Sequence, residues 1–125
     1  MLFDTDILIW VQKGNKKAAH VVEMNQQRRI SILTFMELMQ CPQSKDMQKI
    51  TKSFLADFNF QILPFTENIG HRAAIYIEQY ALSTGMRAGD AIIAATAVEN
   101  NISLTTGNKK HFKGIAGLEL RIFNP

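Results

Sequence analysis

Short apolar segments alternate along this chain with longer segments whose apolar residues recur at helical spacing. The short segments predict strands at 1–3, 30–33, 60–63, 102–105 and 118–123. The others predict helices over 7–11, 16–27, 35–40, 46–58, 66–83 and 90–99. This alternation favours an α/β sandwich around a mainly parallel sheet, in which ligands lie outside the carboxyl ends of the strands.

Size and composition are those of an ordinary folded domain. With 125 residues, 46% of them hydrophobic, we expect one domain over 1–125. The net charge of +3 permits a nucleic-acid partner without requiring one, and a single cysteine, Cys41, excludes an internal disulfide. Because the start lacks a signal-peptide pattern and no apolar run could span a bilayer, we expect a soluble, cytoplasmic protein.

Four polar side chains fall where predicted strands end or the next helices begin. Asp4 follows the first strand, Glu37 lies in the first turn of a helix, Asp90 opens a nearly apolar helix and Asn108 follows a later strand. In a parallel sheet these residues would meet at one edge. Three crowded carboxylates repel each other unless a cation neutralises them, and an all-oxygen set suits Mg²⁺ or Mn²⁺. The pattern therefore indicates metal-assisted phosphodiester hydrolysis.

Each of these residues also has a purely structural interpretation. Asp4 would cap the helix that follows it, and Thr34 with Glu37 matches a capping box. Asp90 would interact with a helix dipole, and Asn108 would be a turn residue. Taken singly, the two interpretations are equally good. Taken together, the structural one requires four coincidences at the same edge.

Three sequence blocks resemble the PIN domain family, most closely the small VapC-type toxins of bacterial toxin–antitoxin pairs. They are MLFDTDILIW, SILTFMEL and GDAIIAATAVENNISLTTGNKKHF, and the third is the most specific. The resemblance covers nearly the whole chain. It implies a PIN-like α/β/α sandwich with a mainly parallel central sheet and an endoribonuclease that depends on Mg²⁺ or Mn²⁺ and uses a metal-activated water.

The resemblance also assigns roles to individual residues. It implies that Asp4, Glu37 and Asp90 are metal ligands. The fourth family position is commonly Asp or Asn and is Asn108 here, which cannot add a charge and is expected to orient a water or a ligand. Thr106 is expected to hydrogen-bond within the site. Asp6 stands where the family often has Asn or Ser, so it is expected to support the ligands rather than bind metal.

Partners follow from the same resemblance. A ribonuclease needs cations near its acids, and Arg87, Lys109 and Lys110 are the candidates for contacting RNA phosphates. The family implies a cognate antitoxin that covers the acidic pocket, and homodimers are usual in it. His111 is expected to serve packing or local hydrogen bonding.

Two alternatives stay open at this point. F-D-T-D imitates the opening motif of haloacid-dehalogenase-like phosphatases, with Asp4 as nucleophile and Asp6 as general acid. That interpretation leaves Glu37 without a role and puts Ala94 where a metal ligand is needed. The other alternative is a catalytically silent module that binds RNA or a protein, and the intact set of acids argues against it.

Overall fold

The computed structural model describes residues 1–41 and 44–125. The strands in this part of the chain are β1 (Leu2–Phe3), β2 (Arg29–Ser31), β3 (Gln61–Leu63), β4 (Leu104–Thr106) and β5 (Leu120–Ile122). The helices are α1 (Thr5–Gln12), α2 (Lys16–Met24), α3 (Ile32–Gln40), α4 (Lys45–Asp57), α5 (Glu67–Thr84), α6 (Ala88–Glu99) and α7 (Lys109–Phe112). Among the described helices, none combines the length and the apolar character needed to cross a membrane.

The five strands form one sheet in the order β3-β2-β1-β4-β5, and every pairing is parallel. The predicted parallel α/β architecture is therefore confirmed. After β1 the chain builds the sheet outward through β2 and β3, then returns to the other side of β1 with β4 and β5. The strand order thus reverses between β1 and β4, which is where parallel sheets commonly bind ligands.

Apolar side chains cover both faces of the sheet. Leu2 and Leu104 belong to a buried cluster with residues of α5 and α6, whereas Phe3 belongs to a second cluster with residues of α1 to α4. Successive residues of a strand point to opposite faces, so the two residues of β1 anchor one cluster each. Both are fully buried. Asp4, the next residue, is thereby fixed at the carboxyl end of the central strand.

The start of α3 differs from the sequence prediction. Ser31 ends β2 and caps α3, because its hydroxyl oxygen accepts the backbone N–H of Thr34 at 3.1 Å. Residues 32 and 33 are therefore helical, and the predicted strand over 30–33 ends two residues too late. The proposed capping box of Thr34 and Glu37 is wrong for the same reason. Glu37 lies in the second turn of α3, not in the first.

Candidate active site at the carboxyl edge of the sheet

A cavity of about 480 Å³ lies at the carboxyl edge of the sheet. Its walls come from α1, α3, the start of α6 and the loop after β4. Its lining residues are Asp4, Thr5, Asp6, Ile9, Glu37, Arg87, Gly89, Asp90, Ile93 and Asn108. The four side chains that the sequence predicted to meet at one edge all border this cavity.

Asp4 is buried and held through both carboxylate oxygens. Its Oδ1 accepts the backbone N–H of Thr5 at 2.7 Å, and its Oδ2 accepts the Thr106 hydroxyl at 2.7 Å. Asp4 is thus also the N-cap of α1, so its structural and functional interpretations coexist in one side chain. The Thr106 oxygen in turn accepts the N–H of Asn108 at 3.0 Å, which ties the loop after β4 to Asp4.

Glu37 reaches the same cavity from α3 through two threonines. Thr5 Oγ1 lies 2.8 Å from Glu37 Oε1 and 3.0 Å from Thr34 Oγ1. A hydroxyl has one proton, and a carboxylate only accepts, so Thr5 donates to Glu37 and receives the proton of Thr34. Thr34 is completely buried. This chain orients one oxygen of Glu37 and leaves Oε2 without a partner among the described residues.

Asp90 is held at the start of α6 by two donors on a single oxygen. Its Oδ2 accepts the backbone N–H of Arg87 at 3.1 Å and lies 2.7 Å from His111 Nδ1. Because an ionised carboxylate only accepts, Nδ1 carries the proton in this contact. Asn108 Nδ2 also lies 2.9 Å from His111 Nδ1. These two atoms do not share a hydrogen bond, because an amide nitrogen only donates and Nδ1 already carries a proton. Both contacts spare Asp90 Oδ1.

Asp6 lies in the first turn of α1 and is held by the loop after β4. Its Oδ2 accepts the backbone N–H of Gly107 at 2.9 Å. Its Oδ1 is buried and has no hydrogen-bond partner among the described residues. A buried polar oxygen without a partner is unfavourable by roughly 1–3 kcal/mol. The carboxylate of Asp6 is therefore oriented, with one oxygen left unsatisfied.

Burial and neighbouring negative charges raise the pKa values of Asp4, the N-cap of α1, and of Asp6 in the first turn of that helix. Burial and then the charge of Asp6 raise the pKa of Asp4 to about 7, against the lowering effect of the Thr106 and Thr5 hydrogen bonds. Burial also raises the pKa of Asp6, and the charge of Asp90 adds to it. Titratable groups perturbed in this way inside a cleft are typical of functional sites.

Comparison with known proteins identifies the family. The sequence pattern of the PIN domain matches residues 1–118. The chain belongs to the PIN domain family. Ribonuclease VapC1 of Rickettsia felis is 33% identical over 117 residues, which are 93% of this chain and 68% of that protein. The family resemblance stated from the sequence motifs is therefore confirmed.

Solved structures agree with this PIN domain in sequence and in fold. A chain of a toxin–antitoxin complex from Klebsiella pneumoniae is 33% identical with a TM-score of 0.80, and the alignment covers 94% of this chain and 93% of that one. A chain of VapBC2 from Rickettsia felis, solved bound to a DNA fragment from its promoter, is 21% identical, with a TM-score of 0.82 and 98% of both chains covered. The second similarity shows the fold alone.

The carboxylates of this PIN domain border the cavity without forming a finished metal cage. Within residues 1–41 and 44–125, no three His, Cys, Asp or Glu side chains are grouped closely enough to hold an ion between them. The donor set nevertheless fits a hard cation, since four of the described side chains that border the cavity are carboxylates and none is a thiol. Mg²⁺ commonly keeps several waters and takes only one or two carboxylates directly, so it needs no complete cage.

The structure adds Thr5, which the sequence analysis did not consider and which orients Glu37. It also shows that His111, expected to serve packing or local hydrogen bonding, contacts Asp90. A hydroxyl next to Asp4 was a detectable signal for Thr5, whereas nothing in the sequence placed His111 beside a residue 21 positions earlier. Of the predicted RNA contacts, Arg87 lines the cavity. Lys109 and Lys110 are exposed on α7, next to the cavity wall but outside its lining.

Proposed function

We propose that this PIN domain is a metal-dependent endoribonuclease that acts as the toxin of a toxin–antitoxin pair. The observation that carries the proposal is the common cavity of Asp4, Glu37 and Asp90 at the reversal of strand order. The name of the relative Ribonuclease VapC1 and the toxin–antitoxin complex from Klebsiella pneumoniae support the same function. A phosphatase of the haloacid-dehalogenase type is not favoured, because it gives Glu37 no role.

Asp4, Glu37 and Asp90 would hold Mg²⁺ or Mn²⁺ in this cavity. The bound ion supplies an activated water and stabilises the charge that develops on the phosphoryl group. Thr106 fixes the carboxylate of Asp4 in the orientation seen here. Asn108 borders the cavity as a neutral amide, which suits it to orient a water or a phosphate oxygen rather than to neutralise the ion.

RNA would enter this cavity from the side of α7 and the start of α6. Arg87 borders the cavity and Lys109 and Lys110 follow Asn108 directly, so a phosphate bound near the carboxylates would lie close to positively charged side chains. Guanidinium and ammonium groups bind phosphates without reading the bases. We therefore expect the triple variant Arg87→Gln, Lys109→Gln, Lys110→Gln to raise KM for RNA without weakening metal binding.

The proposed biological setting is a pair of proteins. A cognate antitoxin would cover the acidic cavity and stop cleavage, and the toxin itself would form a homodimer. With RNA as its substrate, the protein would act in the cytoplasm.

The test is cleavage of total RNA by the purified protein with Mg²⁺, with Mn²⁺ and with EDTA. We expect cleavage with either ion, none with EDTA, and none by the Asp4→Asn or Asp90→Asn variants, whose circular dichroism spectra should match the wild type. Turnover of p-nitrophenyl phosphate serves as the control for phosphatase activity and should be absent. RNA cleavage that is equally fast in both variants would contradict the site assignment.

The toxin role has its own experiment. The protein is expressed alone and together with the product of the adjacent gene, and growth is followed while RNA ends are mapped. We expect growth arrest with new RNA ends, relieved by coexpression. Normal growth with intact RNA would contradict the toxin role.

A further inference from the structure

Two buried threonines, Thr5 and Thr34, connect the start of α1 to α3 at the acidic cavity. We propose that both are positioning residues of the proposed reaction. Thr5 fixes the carboxylate of Glu37 relative to that of Asp4, and Thr34 fixes the direction in which the Thr5 hydroxyl donates. This inference rests on the proposed metal-dependent function and assigns to it two residues that do not touch the metal.

Thr5 is hydrogen-bonded to two carboxylates at once. Its backbone N–H donates to Asp4 Oδ1 at 2.7 Å, and its hydroxyl donates to Glu37 Oε1 at 2.8 Å. Asp4 follows β1 and Glu37 lies in α3, so no local backbone geometry fixes the distance between the two side chains. In the part of the chain that the structure describes, the Thr5 hydroxyl is the one hydrogen-bond partner of the Glu37 carboxylate. Thr5 therefore sets the position of Glu37 relative to Asp4.

Thr34 contributes to the site through Thr5. Its side chain is completely buried and lies outside the lining of the cavity. Within residues 1–41 and 44–125, its hydroxyl has one hydrogen-bond partner, Thr5 Oγ1 at 3.0 Å. Valine has nearly the same shape and no hydroxyl to bury, and burying a hydroxyl is favourable only when it is hydrogen-bonded. Because Thr34 donates to the Thr5 oxygen, the single proton of Thr5 is left to point at Glu37.

A purely structural role for the two threonines predicts different behaviour. In that case their hydroxyls only satisfy each other where α1 packs on α3. Removing one hydroxyl leaves the other buried without its partner and lowers stability, whereas replacing both by apolar groups of the same shape is nearly neutral. The double variant Thr5→Val, Thr34→Val thus separates the two roles, because it should recover the stability lost in Thr5→Val without returning a donor to Glu37.

The experiment measures the dissociation constant of Mn²⁺ by calorimetry, the kinetics of RNA cleavage, and the melting temperature of the metal-free protein. We expect Thr5→Val to weaken Mn²⁺ binding about 10–100-fold, as the loss of a group that orients a metal ligand does. At limiting Mn²⁺, kcat should fall while KM for RNA stays near the wild-type value, since Thr5 has no charge with which to bind phosphates. Thr5→Ser keeps the hydroxyl and should restore Mn²⁺ affinity. Thr34→Val should show a smaller loss of affinity, because Thr5 can still donate to Glu37.

Thr51 offers a matched control. It is also buried, and its hydroxyl also links two helices, since it accepts Gln12 Nε2 of α1 at 3.1 Å from its place in α4. It lies outside the lining of the cavity. Thr51→Val should therefore bind Mn²⁺ and cleave RNA like the wild type.

Two outcomes decide between the roles. If Thr5 acts through Glu37, adding Thr5→Val to Glu37→Ala should change Mn²⁺ affinity by less than about 2-fold, because residues that act through one another are not additive. The double variant Thr5→Val, Thr34→Val should melt near the wild-type temperature and still bind Mn²⁺ weakly. Wild-type affinity in this double variant, with binding lost in Asp4→Asn, would overturn the inference and leave the proposed function intact. A wild-type protein that neither bound Mn²⁺ nor cleaved RNA would end both.

Discussion

Two cavities of this protein have the same volume, about 480 Å³, but one has balanced charges and the other is acidic. The cavity along α5 contains Arg72 and Glu99, whose side chains form an ion pair at 2.5 Å. The acidic cavity at the carboxyl edge contains four carboxylates and a single guanidinium, that of Arg87, which makes no ion pair with them among the described residues.

The difference indicates that charge balance, rather than volume, distinguishes the proposed active site from the other cavity. Where opposite charges lie together, they already pair in the folded protein, so binding a charged ligand there would gain little free energy. Where like charges are collected and buried, the fold is less stable than it would be with neutral residues, and a ligand of opposite charge recovers that free energy. The raised pKa of Asp4 reflects this uncompensated negative charge.

The largest expected effect comes from neutralising the acidic cavity at its centre. Asp4→Asn keeps the size of the side chain and an oxygen for the N-cap of α1, but it removes a ligand charge. Loss of residues that merely support a metal ligand costs about 10–100-fold in affinity or activity, so loss of a ligand should cost more than about 100-fold. Mn²⁺ calorimetry and RNA cleavage, on protein whose fold is verified by circular dichroism, measure it.

The second prediction concerns stability against pH in metal-free protein. The folded pKa of Asp4, about 7, lies above its unfolded value near 3.8. The folded state therefore binds more protons between these values, and the free energy of unfolding should fall as pH rises from about 4 to about 7. At 1.36 kcal/mol per pKa unit the fall is up to about 4 kcal/mol.

Chemical denaturation at several pH values checks this prediction. Asp4→Asn should show a flatter profile, since it has no carboxyl group to titrate there, and Mn²⁺ should restore stability to the wild type at pH 7. Equal profiles for the two proteins would mean that Asp4 is not the group responsible.

The sequence predicted the parallel architecture and the common cavity of Asp4, Glu37 and Asp90 because both depend on local patterns. Apolar runs define the strands, and Asp4 directly follows the first of them, whereas Glu37 and Asp90 lie near the starts of apolar helices that the pattern also marks. The start of α3 was mispredicted because Ile32 and Leu33 are apolar in either structure, and only the Ser31 hydrogen bond decides between strand and helix. The contact of His111 with Asp90 depends on how α7 packs, which no local pattern encodes.

A smaller effect is expected from the support of Asp90. His111→Phe keeps a ring of similar shape and removes the donor 2.7 Å from Asp90 Oδ2. Mn²⁺ affinity should fall about 10–100-fold while the melting temperature of the metal-free protein changes little. His71→Phe is the matched control, since His71 borders the cavity along α5 and is exposed. If both variants bind Mn²⁺ alike, His111 does not position Asp90.

The smallest effect should come from the balanced cavity. Arg72 joins α5 to Glu99 of α6, and the two side chains are 41% and 21% exposed. Partly solvated ion pairs contribute up to about 1 kcal/mol, so Arg72→Gln should lower the free energy of unfolding by no more than that. Urea denaturation measures this change. Cleavage of RNA and the affinity for Mn²⁺ should match the wild type, because the charges in this cavity satisfy each other and require no ligand. A different result would be a loss of cleavage in Arg72→Gln as strong as that in His111→Phe, without a comparable loss of stability. The cavity along α5 would then take part in the reaction, and charge balance would not distinguish the two cavities.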